Sequence, residues 1–172
     1  MTPTERILRD LVAFDTTSAK SNLPLMAYVT QYLESHGVAS RLIMDETGQK
    51  ANLWATIGPE GDGGLILNGH TDCVPVEGEV WTSDPFTLTE RDGRLYGRGS
   101  ADMKGGTTAA LFAYRYLSRL RDQLSGKLTL MVVSDEETGG TLGSGYLIDT
   151  LGDAVMGDCL LSGEPGGVGT IR

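Results

Sequence analysis

The residues best suited to chemistry in this 172-residue sequence are one histidine and five acids. One imidazole with several carboxylates and no thiolate is a ligand set for zinc, cobalt or manganese. Carboxylates gathered without a cation repel one another, by on the order of 4 kcal/mol for a pair ~4 Å apart near a surface, so they take up protons or bind a cation. This many acids fits two ions that share one carboxylate. The six residues are His70, Asp72, Asp102, Glu136, Glu137 and Glu164.

Taken singly, these motifs are weak. The spacing of His70 and Asp72 would let the aspartate accept the second ring N–H of the histidine and fix its tautomer, but a surface histidine beside an aspartate shows the same pattern. Adjacent acids such as Glu136 and Glu137 usually mark a solvated loop. Here an apolar run leads into them, and neighbours at a strand end point in opposite directions. One could then bind metal while the other faces a substrate.

The elements that must position these side chains strengthen the case. Open parallel sheets bind ligands beyond the carboxyl ends of their strands. Apolar runs at 65–67, 128–133 and 159–161 each end just before one of the candidate residues. Asp102 stands in a glycine-rich stretch before a predicted helix over 103–121. The sequence therefore predicts that three strand ends and one helix start deliver ligands to the same edge of a sheet.

The remaining pattern is typical of an α/β fold with a mostly parallel, twisted sheet flanked by helices. Thr2, Pro3 and Glu5 predict a capped helix start, and a second helix is predicted from near Leu23 to Gly37. Neither linker nor repeat divides residues 1–172, so we expect no internal domain boundary. Strands are also predicted at 40–44 and 52–57, a hairpin around 91–94, and a short helix at 144–151.

Charge and composition exclude several partners. The chain has 14 Lys and Arg against 23 Asp and Glu, a net charge of −9, which argues against nucleic acid and against an anionic membrane surface. It is compatible with metal cations. No secretory signal or membrane-spanning run is evident, and we expect Cys73 and Cys159 to be buried reduced thiols, as in a cytoplasmic protein.

Four motifs, in order, resemble the signatures of one family: GHTDCVP at 69–75, YGRGSADMKGG at 96–106, DEETGG at 135–140 and GEP at 163–165. These are dinuclear metal amidohydrolases that include acetylornithine deacetylase, succinyl-diaminopimelate desuccinylase, aminoacylase and carboxypeptidase G. Three further segments look most like the acetylornithine deacetylase branch: LVAFDTTS at 11–18, SNLPL at 21–25 and WTSDPF at 81–86.

The resemblance implies a role for each candidate residue. His70 and Glu164 would bind the first metal, Glu137 would bind the second, and Asp102 would bridge them. It implies that Asp72 orients His70. It also implies a cis peptide bond between Asp102 and Met103. Cys73, at a position that is usually valine in the family, would be a core substitution and no ligand.

The resemblance further implies hydrolysis of a small N-acyl amino acid, with Glu136 as the general base that takes a proton from water and returns it to the leaving amine. Two divalent ions would assist, Zn²⁺ first, with Co²⁺ or Mn²⁺ as alternatives. The activity would be most like deacetylation of acetylornithine in arginine biosynthesis. Desuccinylation of succinyl-diaminopimelate, or another aminoacylase or dipeptidase reaction, is the alternative.

Members of this family carry a further metal-binding histidine far downstream, beyond an inserted lid domain through which they form homodimers, and this sequence contains neither. Its other histidine, His36, is expected at a helix end instead. Three hypotheses follow: an N-terminal segment of a longer hydrolase's catalytic domain, a truncated product without turnover, or a metal- or partner-binding module. For the first, we expect an exposed apolar face.

Overall fold

The computed structural model describes residues 1–166 of the chain. Its first helix begins as the sequence predicts. Thr2 accepts a hydrogen bond from the Glu5 N–H, and the Glu5 carboxylate accepts one from the Thr2 N–H in return, with Pro3 in the first helical position. This capping box supplies acceptors to main-chain donors that a helix start leaves free. Over these described residues the α-helices are α1 (Pro3–Val12), α2 (Leu23–Glu34), α3 (Lys104–Ser118) and α4 (Tyr146–Leu151).

Three helices are shorter than the sequence predicts, and α2 ends at Glu34 before the turn that contains Gly37. Helix α3 ends at Ser118 instead of residue 121, because the Arg121 side chain donates to the Ser118 carbonyl and a short 3-10 turn follows at Arg121–Gln123. Helix α4 begins at Tyr146, since residues 141–145 form a wider, π-type turn that is interrupted at Gly143.

The strands within residues 1–166 are β1 (Arg41–Met44), β2 (Ala51–Ile57), β3 (Leu65–His70), β4 (Thr89–Arg91), β5 (Arg94–Tyr96), β6 (Leu128–Val133) and β7 (Cys159–Ser162). Five of them form the central sheet in the order β1-β2-β6-β3-β7, and β4 and β5 form a separate hairpin. Strand β2 is antiparallel to both of its neighbours, whereas β6, β3 and β7 are parallel to one another. Four of the five strands of the central sheet therefore run in one direction, which confirms the predicted α/β fold class.

Strand β6 lies in the interior because both faces of the sheet are covered. Leu130 and Val132 pack into the larger apolar cluster, together with α1, α2 and α3. Met131 and Val133 point to the opposite face, where they pack with Leu147 of α4. A strand buried on both faces favours apolar residues on both sides of the sheet, which explains the nearly continuous apolar run in the sequence.

Strand β7 is one of the two edge strands of the sheet in the part of the chain that the structure describes. Leu160 and Leu161 are 50% and 60% exposed. Exposed apolar side chains, which the sequence predicts for an N-terminal segment, therefore occur on this strand. The expectation for Cys159 is wrong, because its thiol is exposed on this edge strand, whereas Cys73 is buried and both are free. Within residues 1–166, no helix is long and apolar enough to cross a membrane.

Candidate metal centre

His70 is the last residue of β3 and is almost fully buried, with 1% of its surface exposed. Its Nδ1 lies 2.9 Å from the main-chain oxygen of Asp72 and 3.3 Å from Oδ1 of that residue's carboxylate. This side of the ring is therefore occupied by acceptors. The opposite nitrogen, Nε2, faces three carboxylates: Asp102 at 3.1 Å, Glu164 at 3.7 Å and Glu136 at 3.8 Å.

Asp72 does more than the sequence predicts. Its fully buried carboxylate also accepts the main-chain N–H groups of Glu136, at 3.0 Å, and Glu137, at 3.1 Å. The Ser18 hydroxyl donates to Oδ2 at 2.7 Å. Burial opposes ionisation of Asp72, but His70 and these donors outweigh it and lower the pKa of the carboxyl. Asp72 thus joins the end of β3 to the turn that follows β6.

Glu136 and Glu137 lie in a 3-10 turn, Glu136–Thr138, and not on an extension of β6. The expectation that they point in opposite directions as strand neighbours is therefore wrong. The chain leaves the strand at Asp135, which has a left-handed φ of 65°, and its carboxylate accepts hydrogen bonds from Thr138 and the Leu142 N–H. After the turn, Gly139 and Gly140 have φ values of 104° and 72°, a region that favours glycine.

Asp102 stands in the loop between the β4–β5 hairpin and α3. The peptide bond between Asp102 and Met103 is cis, as the family resemblance implies. Met103 is fully buried, whereas the Asp102 side chain is 51% exposed. The loop thereby anchors one residue in the core and leaves the carboxylate before it free to face His70.

Glu164 follows β7 and is placed by a contact between two glycines. Gly163 lies against Gly106 in the first turn of α3, where a Cβ added to Gly163 would lie 2.7 Å from the Gly106 Cα. Real side chains do not approach so closely, so only glycine fits here. The Glu164 side chain, 40% exposed, lies on the same side of His70 as Asp102.

The structure brings together the histidine and four of the acids named from the sequence, with Asp72 behind the ring. Two groups of three possible donor atoms share His70: one with Glu136 and Glu164, the other with Asp102 and Glu137. Within each group, the atoms lie within 4.8 Å of one another. Within residues 1–166, His36 belongs to neither group. It lies at the end of α2, with Nδ1 2.7 Å from the Tyr32 carbonyl oxygen.

The electrostatics of this cluster favour the uptake of positive charge. Burial lowers the pKa of His70, but Asp72, Asp102 and Glu164 outweigh it and raise the pKa to about 9. Burial and the negative charge of Asp102 raise the pKa values of both Glu137 and Glu164. Together these donors suit divalent ions of the zinc type, since one imidazole nitrogen and several carboxylate oxygens converge on a common space.

Ser18 is a residue of this site that sequence reasoning missed. It contacts Asp72 across 54 positions of sequence, and no local pattern indicates such a contact. The one available hint was that Ser18 ends the segment 11–18, which looks like the acetylornithine deacetylase branch.

Comparison with known proteins decides the family. Residues 66–171 match the model of peptidase family M20/M25/M40. That match covers more than half of the sequence and all four of the strand ends and loops that carry the cluster. The chain belongs to peptidase family M20/M25/M40. M20 proteins are metal-dependent hydrolases, and the resemblance seen in the sequence is therefore confirmed.

Curated relatives of this M20 chain include acetylornithine deacetylases. The Proteus mirabilis protein is 41% identical over 165 residues, which cover 93% of this chain and 40% of the relative. The Shigella sonnei protein is 39% identical over 181 residues, covering 99% of this chain and 45% of the relative. The M20 chain thus spans less than half of the length of these relatives.

Solved structures of M20 proteins share the fold. An M20 family metallo-carboxypeptidase from Sulfolobus solfataricus matches with a TM-score of 0.82 and 24% identity, over 96% of this chain and 38% of that one. Human carnosine dipeptidase 1 matches with a TM-score of 0.80 and 22% identity, over 96% of this chain and 39% of that one. A dinuclear metal-binding M20 peptidase from Bacillus subtilis matches with a TM-score of 0.65 and 16% identity, over 92% of this chain and 41% of that one.

Proposed function

We propose that this M20 chain contributes the metal centre for hydrolysis of the amide bond of a small N-acyl amino acid. The observation that carries the proposal is the pair of donor groups that share the buried His70. Glu136 lies at the edge of this cluster with half of its side chain exposed, where a substrate and a water molecule can reach it.

The family resemblance suggests an assignment of each residue toward two divalent ions, and the donor groups support it in part, since one joins His70 to Glu164 and the other joins Asp102 to Glu137. His70 and Glu164 would hold the first ion, Glu137 would hold the second, and Asp102 would bridge them. Asp72 would orient His70, because it occupies the Nδ1 side of the ring and leaves Nε2 for the metal. Zinc is the first choice for this donor set, and cobalt or manganese would also fit.

Glu136 would act as general base. When bound, the ions would polarise the amide carbonyl and lower the pKa of water. The Glu136 carboxylate would take the proton from the attacking water and pass it to the nitrogen of the leaving amine as the C–N bond breaks. The main-chain N–H of Glu136 donates a hydrogen bond to the Asp72 carboxylate, which also contacts His70. One carboxylate therefore fixes both the base and the histidine.

The relatives favour acetylornithine as the substrate. Two curated acetylornithine deacetylases are 41% and 39% identical to the chain, and the net charge of −9 suits a cationic amine. With this substrate, the protein would serve arginine biosynthesis in the cytoplasm. We expect residues 1–172 to act as an N-terminal segment of the catalytic domain, in a protein that dimerises through a lid domain.

Metal content and activity test the proposal together. The purified chain, loaded with Zn²⁺ or Co²⁺, would be assayed against acetylornithine, succinyl-diaminopimelate and simple N-acetyl amino acids. With the family's further histidine supplied by a longer protein, we expect two bound ions and hydrolysis of acetylornithine before the other substrates. Binding of one ion without hydrolysis would favour a metal-binding segment that lacks turnover, and no binding at all would reject the metal centre.

The base is tested by Glu136→Gln, which keeps the shape of the side chain and removes its basicity. We expect unchanged metal content and a loss of turnover of at least 100-fold, in the range that general base catalysis contributes. Glu90→Gln is the matched control, because Glu90 lies on the exposed β4 hairpin. Retention of activity by Glu136→Gln would reject this role.

A further inference from the structure

The connection between α1 and α2, residues 13–22, lies against the metal centre over its central part. Thr17 pairs with Cys73 in a parallel bridge. The Cys73 N–H donates to the Thr16 carbonyl at 3.2 Å, and the Ser18 N–H donates to the Cys73 carbonyl at 3.1 Å. The Thr16 hydroxyl adds a bond of 2.6 Å to the Thr71 carbonyl. The connection therefore follows the residues that flank Asp72 like an added strand.

Two buried lysines hold this connection near its two ends. The Lys104 ammonium donates to the Phe14 carbonyl at 2.7 Å. The Lys50 ammonium donates to the carbonyls of Ser18 and Lys20, each at 2.6 Å. Bringing an ammonium group out of water is costly unless acceptors replace the water, and here main-chain carbonyls of the connection supply them. Ser18 is thereby fixed in position.

Ser18 reaches the site through its side chain. Its hydroxyl donates to Oδ2 of Asp72 at 2.7 Å, and that oxygen also accepts the Glu137 N–H. The other oxygen, Oδ1, accepts the Glu136 N–H and faces His70. The aspartate side chain rotates about two bonds, and the Ser18 hydroxyl restricts both rotations because it holds Oδ2 while Oδ1 faces His70.

We infer that Ser18 is a positioning residue of the metal centre. Its hydroxyl fixes the Asp72 carboxylate, and through it the His70 ring and the turn that carries Glu136 and Glu137. The inference rests on the proposed function, since it assigns Ser18 a part in metal binding by those residues. Loss of partners that orient a metal-binding histidine typically costs 10–100-fold in metal affinity.

Cobalt titration tests the inference without need of turnover. The unmodified chain, Ser18→Ala and Ser18→Thr would be titrated with Co²⁺ and followed by the visible absorption of the bound ion. We expect Ser18→Ala to weaken Co²⁺ binding by about 10-fold and to alter the absorption band. Ser18→Thr keeps the hydroxyl at a half-buried position, and we expect it to restore both. Ser118→Ala removes a buried hydroxyl at the end of α3, bonded to the Arg115 carbonyl, and should change neither.

The outcomes separate this inference from the proposed function. Binding by Ser18→Ala within twofold of the unmodified chain, with the same absorption band, would overturn the inference alone. So would a Ser18→Thr variant as weak as Ser18→Ala, because the hydroxyl would then not be the cause. If the unmodified chain bound no Co²⁺, both would fall. Should Ser18→Ala not fold, Ser18→Cys replaces it, since a thiol of similar shape is a weaker donor, and the same loss is expected.

Discussion

The candidate metal centre has a buried half and an exposed half. His70 and Asp72 are 1% and 0% exposed, and Asp72 alone accepts hydrogen bonds from Ser18 and from two main-chain N–H groups. The carboxylates of Asp102, Glu136 and Glu164 are 40–51% exposed and face His70 and one another. Hydrogen-bond donors of the protein thus stabilise the carboxylate of the buried half, whereas the carboxylates of the exposed half repel one another. We expect substitutions in the two halves to have different effects.

The largest effect is expected from Asp72→Ala in the buried half. It leaves two main-chain donors and one hydroxyl without their acceptor, and unsatisfied buried groups cost about 1–3 kcal/mol each. We expect the metal-free chain to lose on the order of 3 kcal/mol in its free energy of unfolding, and metal affinity to fall by about 100-fold. Urea unfolding and metal titration measure the two quantities. Asp62→Ala, at an exposed turn, is the control, and equal stability of the two variants would contradict the comparison.

A smaller and selective effect is expected from Glu164→Gln in the exposed half. Burial and the charges of Asp102 and Glu136 raise the pKa of Glu164, so neutralising it removes repulsion from the metal-free chain. We expect metal affinity to fall by about 10-fold while the free energy of unfolding stays within ~0.5 kcal/mol of the original or rises. The same two measurements apply. A loss of stability equal to that of Asp72→Ala would show that the halves do not differ.

A separate effect on the metal-free chain is expected from pH. The pKa of His70 is raised to about 9 by its carboxylate neighbours, so its imidazolium stabilises the metal-free fold fully below its ordinary pKa of 6.5. That stabilisation is lost as pH rises through about 9. We expect the Tm of the chelator-treated chain to fall by roughly 5 °C between pH 6.5 and 9, an effect on the order of 2 kcal/mol.

His70→Gln should remove most of this pH dependence, because it deletes the titrating group. Metal affinity should change with pH in the opposite direction, since the ion competes with the proton for Nε2 and binds better as pH rises. A metal-free chain whose Tm is constant over this range would contradict the raised pKa of His70.

Local patterns allowed most elements of the fold to be predicted. Strand β6 has the predicted bounds because five of its six residues are apolar, which suits a strand covered on both faces. The start of α1 follows from a capping box only four residues long. The rule that ligands gather beyond strand ends also placed His70, Glu136 and Glu164 near one edge of the sheet.

Long-range contacts account for what the sequence did not reveal. The 3-10 turn at Glu136–Thr138 depends in part on acceptance of its N–H groups by Asp72, which lies 64 positions earlier. The bond from Ser18 to Asp72 spans 54 positions. The exposure of Cys159 depends on β7 being an edge strand, and strand order is not encoded in the apolar run itself. None of these has a periodicity or a neighbouring-residue pattern.

The contact between Gly106 and Gly163 helps to set the distance between Asp102 and Glu164. A Cβ added to Gly106 would lie 2.3 Å from the Gly163 oxygen, and one added to Gly163 would lie 2.7 Å from the Gly106 Cα. The start of α3, which follows Asp102, and the segment before Glu164 therefore approach this closely only because both residues are glycine. A larger residue at either position would push these two segments apart and carry the Asp102 and Glu164 carboxylates away from each other.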